Sequence, residues 1–189
     1  MELLRQKGDN ISMKRACAVT GPKPTRFKFG YKEDYSLCKK IKKAMMVQFR
    51  RLYNEKGVRR FYIGGAMGVH IWAGELILQL KSEQGYEDIE LMIVLPYPEH
   101  DIRWDARSKK RLKYLIDNCT EHLSVGKLPN PDNYIKQNRY LVDHSEFLLA
   151  VSDGTGEMVG YAQKRGVPVL CIHPDTAAVD DSFWKCSES

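Results

Sequence analysis

Two apolar runs in this sequence stop at glycines, and each time a helical pattern starts directly afterwards. Phe61–Ile63 gives way to Gly64-Gly65-Ala66-Met67-Gly68-Val69, and Glu146–Val151 to Asp153-Gly154-Thr155-Gly156-Glu157. Glycine lets a strand turn sharply into a helix without a Cβ in the way, so this junction is the repeating unit of an α/β sheet. The unit recurs along the chain. Ala16–Thr20 reads as a first strand, leaving through Thr20-Gly21-Pro22-Lys23-Pro24. A helix over Asp34 to Lys56 follows, with Leu37, Ile41, Met45, Phe49 and Leu52 on one face and Gly57 at its end. Further helices are predicted over Val69–Ser82, Arg103–Cys119, Pro131–Asp143 and Gly156–Arg165, and strands over Ile89–Leu95, His122–Val125 and Val167–Ile172. Such alternation predicts an α/β fold, a mainly parallel sheet with helices on both faces. Right-handed crossovers then bring every strand-to-helix loop to one edge, where ligands bind at the reversal of strand order.

At 189 residues the chain is sized for one domain. The pattern places it at 14–173, between an N-terminal tail, 1–13, and a C-terminal tail, 174–189. No apolar run approaches the roughly 20 residues of a membrane helix, and the polar start lacks the apolar core of a secretory signal. The expectation is a cytoplasmic protein. Its five cysteines form no C-x-x-C pair and do not cluster with histidines at zinc spacing, so buried free thiols and no metal are expected. The net charge of +6 favours anionic partners, although its lysines and arginines gather on helix faces that usually face solvent. The Val69–Ser82 helix is apolar nearly all round, with Ile71 and Leu78 opposite its main stripe. Such a helix is buried in the core or against a second copy, making a homo-oligomer the alternative.

The chemistry lies in the loops. Gly64, Gly65, Ala66, Gly68 and Val69 open a helix whose free N–H groups and dipole favour an anion. Their spacing is neither the dinucleotide fingerprint nor a P-loop. Asp153, Gly154, Thr155, Gly156 and Glu157 repeat the arrangement. In the first loop Thr20 and Gly21 offer donors and Lys23 a cation. Trp104, after the third strand, is placed to stack on a base. Glu75 is placed to hold a ribose hydroxyl.

These motifs, in order, resemble the YpsA-like (DUF1273) branch of the SLOG superfamily. The matching residues are Val19-Thr20-Gly21-Pro22; Gly64-Gly65-Ala66-x-Gly68-Val69-x-x-Trp72-Ala73-x-Glu75; Asn138-Arg139-x-x-Val142-Asp143-x-Ser145; Asp153-Gly154 with Tyr161-Ala162; and Gly166-x-Pro168-Val169. The resemblance implies a Rossmann-like fold and a site for nucleotide-derived ligands such as NAD or ADP-ribose relatives. It adds Asn138 and Arg139 to the candidate ligand-binding residues. The LOG enzymes of that superfamily carry P-G-G-x-G-T-x-x-E. Here Val69 stands for the threonine, and Glu75 lies further along the helix.

The function expected is binding or sensing of a nucleotide-derived ligand, with no catalysis and no required cofactor. The alternative is a nucleotide N-glycosidic-bond hydrolase using Glu75 or Glu157. A third reading is single-stranded nucleic-acid binding. No membrane partner is expected.

Overall fold

The computed structural model describes residues 14–185. The six strands are β1 (Arg15–Thr20), β2 (Val58–Ile63), β3 (Glu90–Leu95), β4 (Glu121–Ser124), β5 (Phe147–Val151) and β6 (Val169–Ile172). The helices are α1 (Ser36–Lys56), α2 (Val69–Lys81), α3 (Ala106–Asn118), α4 (Asp132–Asp143), α5 (Glu157–Lys164) and α6 (Ser182–Lys185), with a short 3-10 turn at Pro24–Arg26. All six strands form one parallel sheet in the order β4-β3-β2-β1-β5-β6. From β1 the chain steps outward through β2, β3 and β4, then crosses back to lay β5 on the other side of β1.

Alternation along the strands shows why the sheet is covered twice. Cys17, Val19, Phe61, Ile63, Leu91, Ile93 and Leu149 point into the larger core, with Ile41, Met45 and Phe49 of α1, Trp72 of α2 and Leu115 of α3. Ala16, Ala18, Tyr62, Met92, Val94 and Leu148 point the other way, onto Leu141 and Val142 of α4 and Met158 and Ala162 of α5. A two-sided sheet needs continuous apolar strands, and β5 is buried at every position.

Helix α2 is covered within the chain. Ile71 is 3% exposed, and Leu78 packs against the same core. The helix lies between α1 and α3. A Cβ on Gly74 would stand 2.7 Å from Leu115 Cδ1, so α2 and α3 approach at this glycine. Its second apolar stripe therefore has a cover without a second copy, and the expected reason for an oligomer is removed.

The C-terminal stretch also departs from expectation. Val179 bridges Ile172 in antiparallel fashion, Phe183 is buried against Phe147, and Trp184 Nε1 donates to Gln48 Oε1 at 2.9 Å. Up to Lys185 it is thus a packed extension, not a tail. Its apolar side chains are too widely spaced to show a helical period. The N-terminal tail, 1–13, and residues 186–189 lie outside the described residues. Among the described residues no helix is long and apolar enough to cross a membrane.

Candidate functional site

The strand order reverses between β1 and β5, which pair directly through Thr20 and Ala150. Their following loops run to opposite faces, and a cleft opens between them. Its outer part, about 750 Å³, is lined by Thr20, Gly21, Lys23 and Arg26 on one side and by Ser152, Asp153, Thr155, Gly156 and Glu157 on the other. An inner chamber of about 210 Å³ lies under the β2 loop, lined by Gly64, Ala66, His70, His100, Tyr134 and Gln137. Thr20, Gly21, Lys23 and Asn138 line both.

The outer cleft is set up by the loop after β5. Ser152 Oγ donates to Thr155 O and accepts from Gly154 N–H; Asp153 Oδ1 accepts from Thr155 N–H and Oγ1–H. The hydrogen bonds from the Thr155 hydroxyl and amide hold the Asp153 carboxyl below its ordinary range. Gly156 then caps α5 at φ +113°, a conformation that favours glycine. The first amide of α5 with a backbone acceptor is Gly160, bonded to Gly156 O. The N–H groups of Glu157, Met158 and Val159 have no acceptor among the described residues, and all three residues line the cleft. Opposite them stand Lys23 and Arg26, neither in a salt bridge among the described residues; the Lys23 ammonium lies 5.9 Å from the Tyr134 ring centroid. Asn138 Nδ2 donates to Glu157 Oε2 at 2.8 Å and ties α4 to the start of α5.

The inner chamber rests on two buried polar side chains, Gln137 at 6% and His70 at 8% exposure. Gln137 Nε2 donates to Gly64 O at 2.5 Å and Val94 O at 2.7 Å, joining the ends of β2 and β3. Two carbonyl partners require the amide nitrogen there, so Oε1 is left over. His70 Nδ1 accepts from Gly64 N–H at 2.8 Å, which places the ring proton on Nε2. Burial pushes the His70 pKa down to about 4, so the ring is neutral. His100 donates from Nε2 to Gly65 O at 3.1 Å; its buried Nδ1 has no partner among the described residues, and burial lowers its pKa too.

Several expected site residues stand apart. Gly65 is buried, with its carbonyl turned to His100; a Cβ there would lie 2.6 Å from Leu95 Cδ2. It serves packing under the loop. Gly68 backs onto Pro22 and Pro24, and Val69 is fully buried against Gly21. Glu75 accepts from Arg111 Nε at 2.7 Å and Nη2 at 2.8 Å, away from the cleft. The same guanidinium binds Glu33, which also accepts from Trp72 Nε1. Burial would raise the Glu33 pKa, but hydrogen bonds from Arg111, Lys42 and Trp72 outweigh it and hold it at about 2. Trp104 lines a separate cleft of about 460 Å³ with Tyr31, Arg103 and Arg107. Arg139 points outward over the Tyr161 ring, 5.6 Å from its centroid. Arg26, His70 and Gln137 are not legible as site residues in the sequence, because a cation on a loop or a polar residue on a helix is ordinary until folding brings it to the cleft.

Fold and cleft define a doubly wound, Rossmann-like α/β protein whose candidate ligand site lies at the reversal of strand order. The chain belongs to the YpsA family, described as the YspA SLOG family, whose model matches residues 17–164. The UPF0398 protein YpsA of Bacillus subtilis (strain 168) is 28% identical over 184 residues, covering 89% of this chain and 99% of that protein. A UPF0398 protein of Bacillus cereus (strain B4264) is 28% identical over 144 residues, 74% of each chain. Among solved structures, DNA processing protein A from Streptococcus pneumoniae superposes with a TM-score of 0.56 at 18% identity, over 85% of this chain and 50% of that one. The Helicobacter pylori counterpart, whose structure concerns a single-stranded DNA binding mode, gives 0.54 at 18% identity, over 92% and 72%. This chain thus spans half the length of the pneumococcal protein, and the likeness speaks for the fold.

Proposed function

We propose that this protein binds a nucleotide-derived ligand of the NAD or ADP-ribose type in the cleft between β1 and β5, without transforming it. One observation carries the reading: three N–H groups at the start of α5, without acceptors among the described residues, line the same cleft as Lys23 and Arg26. A diphosphate there gains the helix dipole, about 0.3–1 kcal/mol, and charge-assisted hydrogen bonds of about 1.5–3 kcal/mol each. Thr20 adds a hydroxyl at the floor. The cleft's carboxylates are engaged: Asp153 holds Thr155, and Glu157 holds Asn138. Glu75 is held by Arg111. That arrangement supports binding over N-glycoside hydrolysis.

Calorimetry with NAD, ADP-ribose and ADP tests the reading. At least one binds, and the Lys23→Ala/Arg26→Ala variant binds it tenfold or more weakly. Chromatography of the incubated ligand returns it intact; release of the base establishes the hydrolase instead.

Nucleic-acid binding is a second reading, supported by the cleft that joins Trp104 and Tyr31 to Arg103 and Arg107. Aromatic faces beside guanidiniums suit unstacked bases. Against it, Lys42, Arg50, Arg51 and Arg111 are ion-paired within the chain. Single-stranded DNA that binds with a steep salt dependence, and more weakly after Trp104→Ala, establishes this reading.

A further inference from the structure

The inner chamber differs from the outer cleft in what it offers. Lys23 stands at its mouth, but the polar atoms within are neutral. His70 presents Nε2–H, because Nδ1 is taken by Gly64 N–H. Gln137 presents Oε1, because its nitrogen is taken by Gly64 O and Val94 O. Neither atom has a partner among the described residues, and both side chains are more than nine-tenths buried. The chamber is the cavity that both line. Among the described residues the sealed side-chain atoms without a partner are His100 Nδ1 and Ser145 Oγ; His70 Nε2 and Gln137 Oε1 are instead open to the chamber, one donor and one acceptor free to pair with a ligand that enters it.

We infer that the inner chamber recognises the ribose of the bound nucleotide, His70 Nε2–H donating to one hydroxyl oxygen and Gln137 Oε1 accepting from a hydroxyl proton. A hydroxyl both gives and takes a hydrogen bond, which matches one donor beside one acceptor. A phosphate does not match, because Gln137 Oε1 would face an oxygen with no proton. Thr20 and Lys23 line both spaces, so a diphosphate against α5 continues directly into a sugar in the chamber. The inference rests on the nucleotide reading above and gives the ligand its direction, phosphates outward and sugar inward. His70 and Gln137 become specificity determinants. The fixed tautomer and the fixed amide make the preference independent of pH near neutrality, in accord with the depressed His70 pKa.

The test pairs two side-chain replacements with three probes: pyrophosphate, ADP and 2′-deoxy-ADP. In His70→Asn the shorter amide keeps an acceptor where Nδ1 receives the Gly64 N–H, and removes the donor aimed at the chamber. In His70→Gln the longer amide keeps a donor near Nε2. The wild-type protein should bind ADP more tightly than pyrophosphate, and about tenfold more tightly than 2′-deoxy-ADP. His70→Asn should lose that tenfold preference with pyrophosphate binding unchanged, and His70→Gln should restore part of it. Equal wild-type affinity for ADP and 2′-deoxy-ADP overturns the ribose assignment, as does a parallel loss of pyrophosphate in His70→Asn. If neither pyrophosphate nor ADP binds, the anion site itself is wrong and this assignment falls with it. Circular dichroism and the melting temperature of each variant exclude simple unfolding.

Discussion

Gly21 lies directly beneath Val69: a Cβ on the glycine would stand 2.5 Å from Val69 Cγ2. The loop after β1 and the start of α2 are therefore in contact at a position with no room for a methyl group. Gly21→Ala should destabilise the protein by about 1–3 kcal/mol, the usual range for overpacking a closed site. Gly21→Ala/Val69→Ala should recover part of that loss. Urea denaturation of the three proteins decides it, and equal midpoints for wild type and Gly21→Ala would show that the contact is soft.

Two other glycines should respond with opposite signs. Gly65 has φ +69° and Leu95 beside it, so Gly65→Ala combines backbone strain with a clash and should cost about 2–4 kcal/mol. Gly160 sits inside α5 with nothing within 4 Å of a Cβ. Gly160→Ala should stabilise by about 0.5–1 kcal/mol through helix propensity and a less flexible unfolded chain. Thermal melts in the absence of ligand measure both.

The Arg111 guanidinium holds two carboxylates, Glu33 and Glu75, on groups 22–33% exposed. Arg111→Ala leaves Glu75 without its partner and Glu33 with only Lys42 and Trp72, and should destabilise by about 2 kcal/mol. Glu75→Gln keeps a partner for the guanidinium and should cost less, with ligand affinity unchanged within twofold. A large loss of affinity in Glu75→Gln, at unchanged stability, would return Glu75 to the site.

Stability should fall in two acid windows. His70 has a folded pKa of about 4 against 6.5 in the unfolded chain. Between those values the unfolded chain takes up a proton that the folded protein refuses, so stability decreases as pH falls from about 6.5 to 4. Glu33 has a folded pKa of about 2 against 4.5, so its stabilisation is complete above 4.5 and disappears as pH falls to 2. Urea unfolding at a series of pH values should show a shallower upper slope in His70→Asn, with the lower window unchanged. Identical upper slopes would assign that window to other groups.

Much of the fold is legible before folding. Each of the six strands and five long helices has a run of the right period, and the glycines mark the turns between them. Helix α6 is not legible, because four residues carry no period; Phe183 is revealed only by its contact with Phe147. The site divides likewise. The loop after β5 is legible as glycines between a strand and a helix start, and nothing packs within 4 Å of a Cβ on Gly154 or Gly156. Gly65 invites the same interpretation, yet the same φ freedom serves a tight fit against Leu95, and composition does not separate the two uses. Arg26, His70 and Gln137 depend on long-range partners. Gln137 lies 73 residues from Gly64 in the chain, and nothing local announces their meeting.

The prolines around Lys23 carry a last consequence. Pro22 and Pro24 fix φ on either side of the lysine, and Pro24 also starts the short turn that carries Arg26. Ordering an otherwise free residue costs roughly 1–2 kcal/mol of backbone entropy. Here that expense falls at folding, before any anion arrives. The two cations thus sit on a stiffened strap, and calorimetry should record a smaller entropic penalty on association than a glycine-flanked lysine would incur. Replacing both prolines with alanine should weaken binding through entropy while leaving every charge in place.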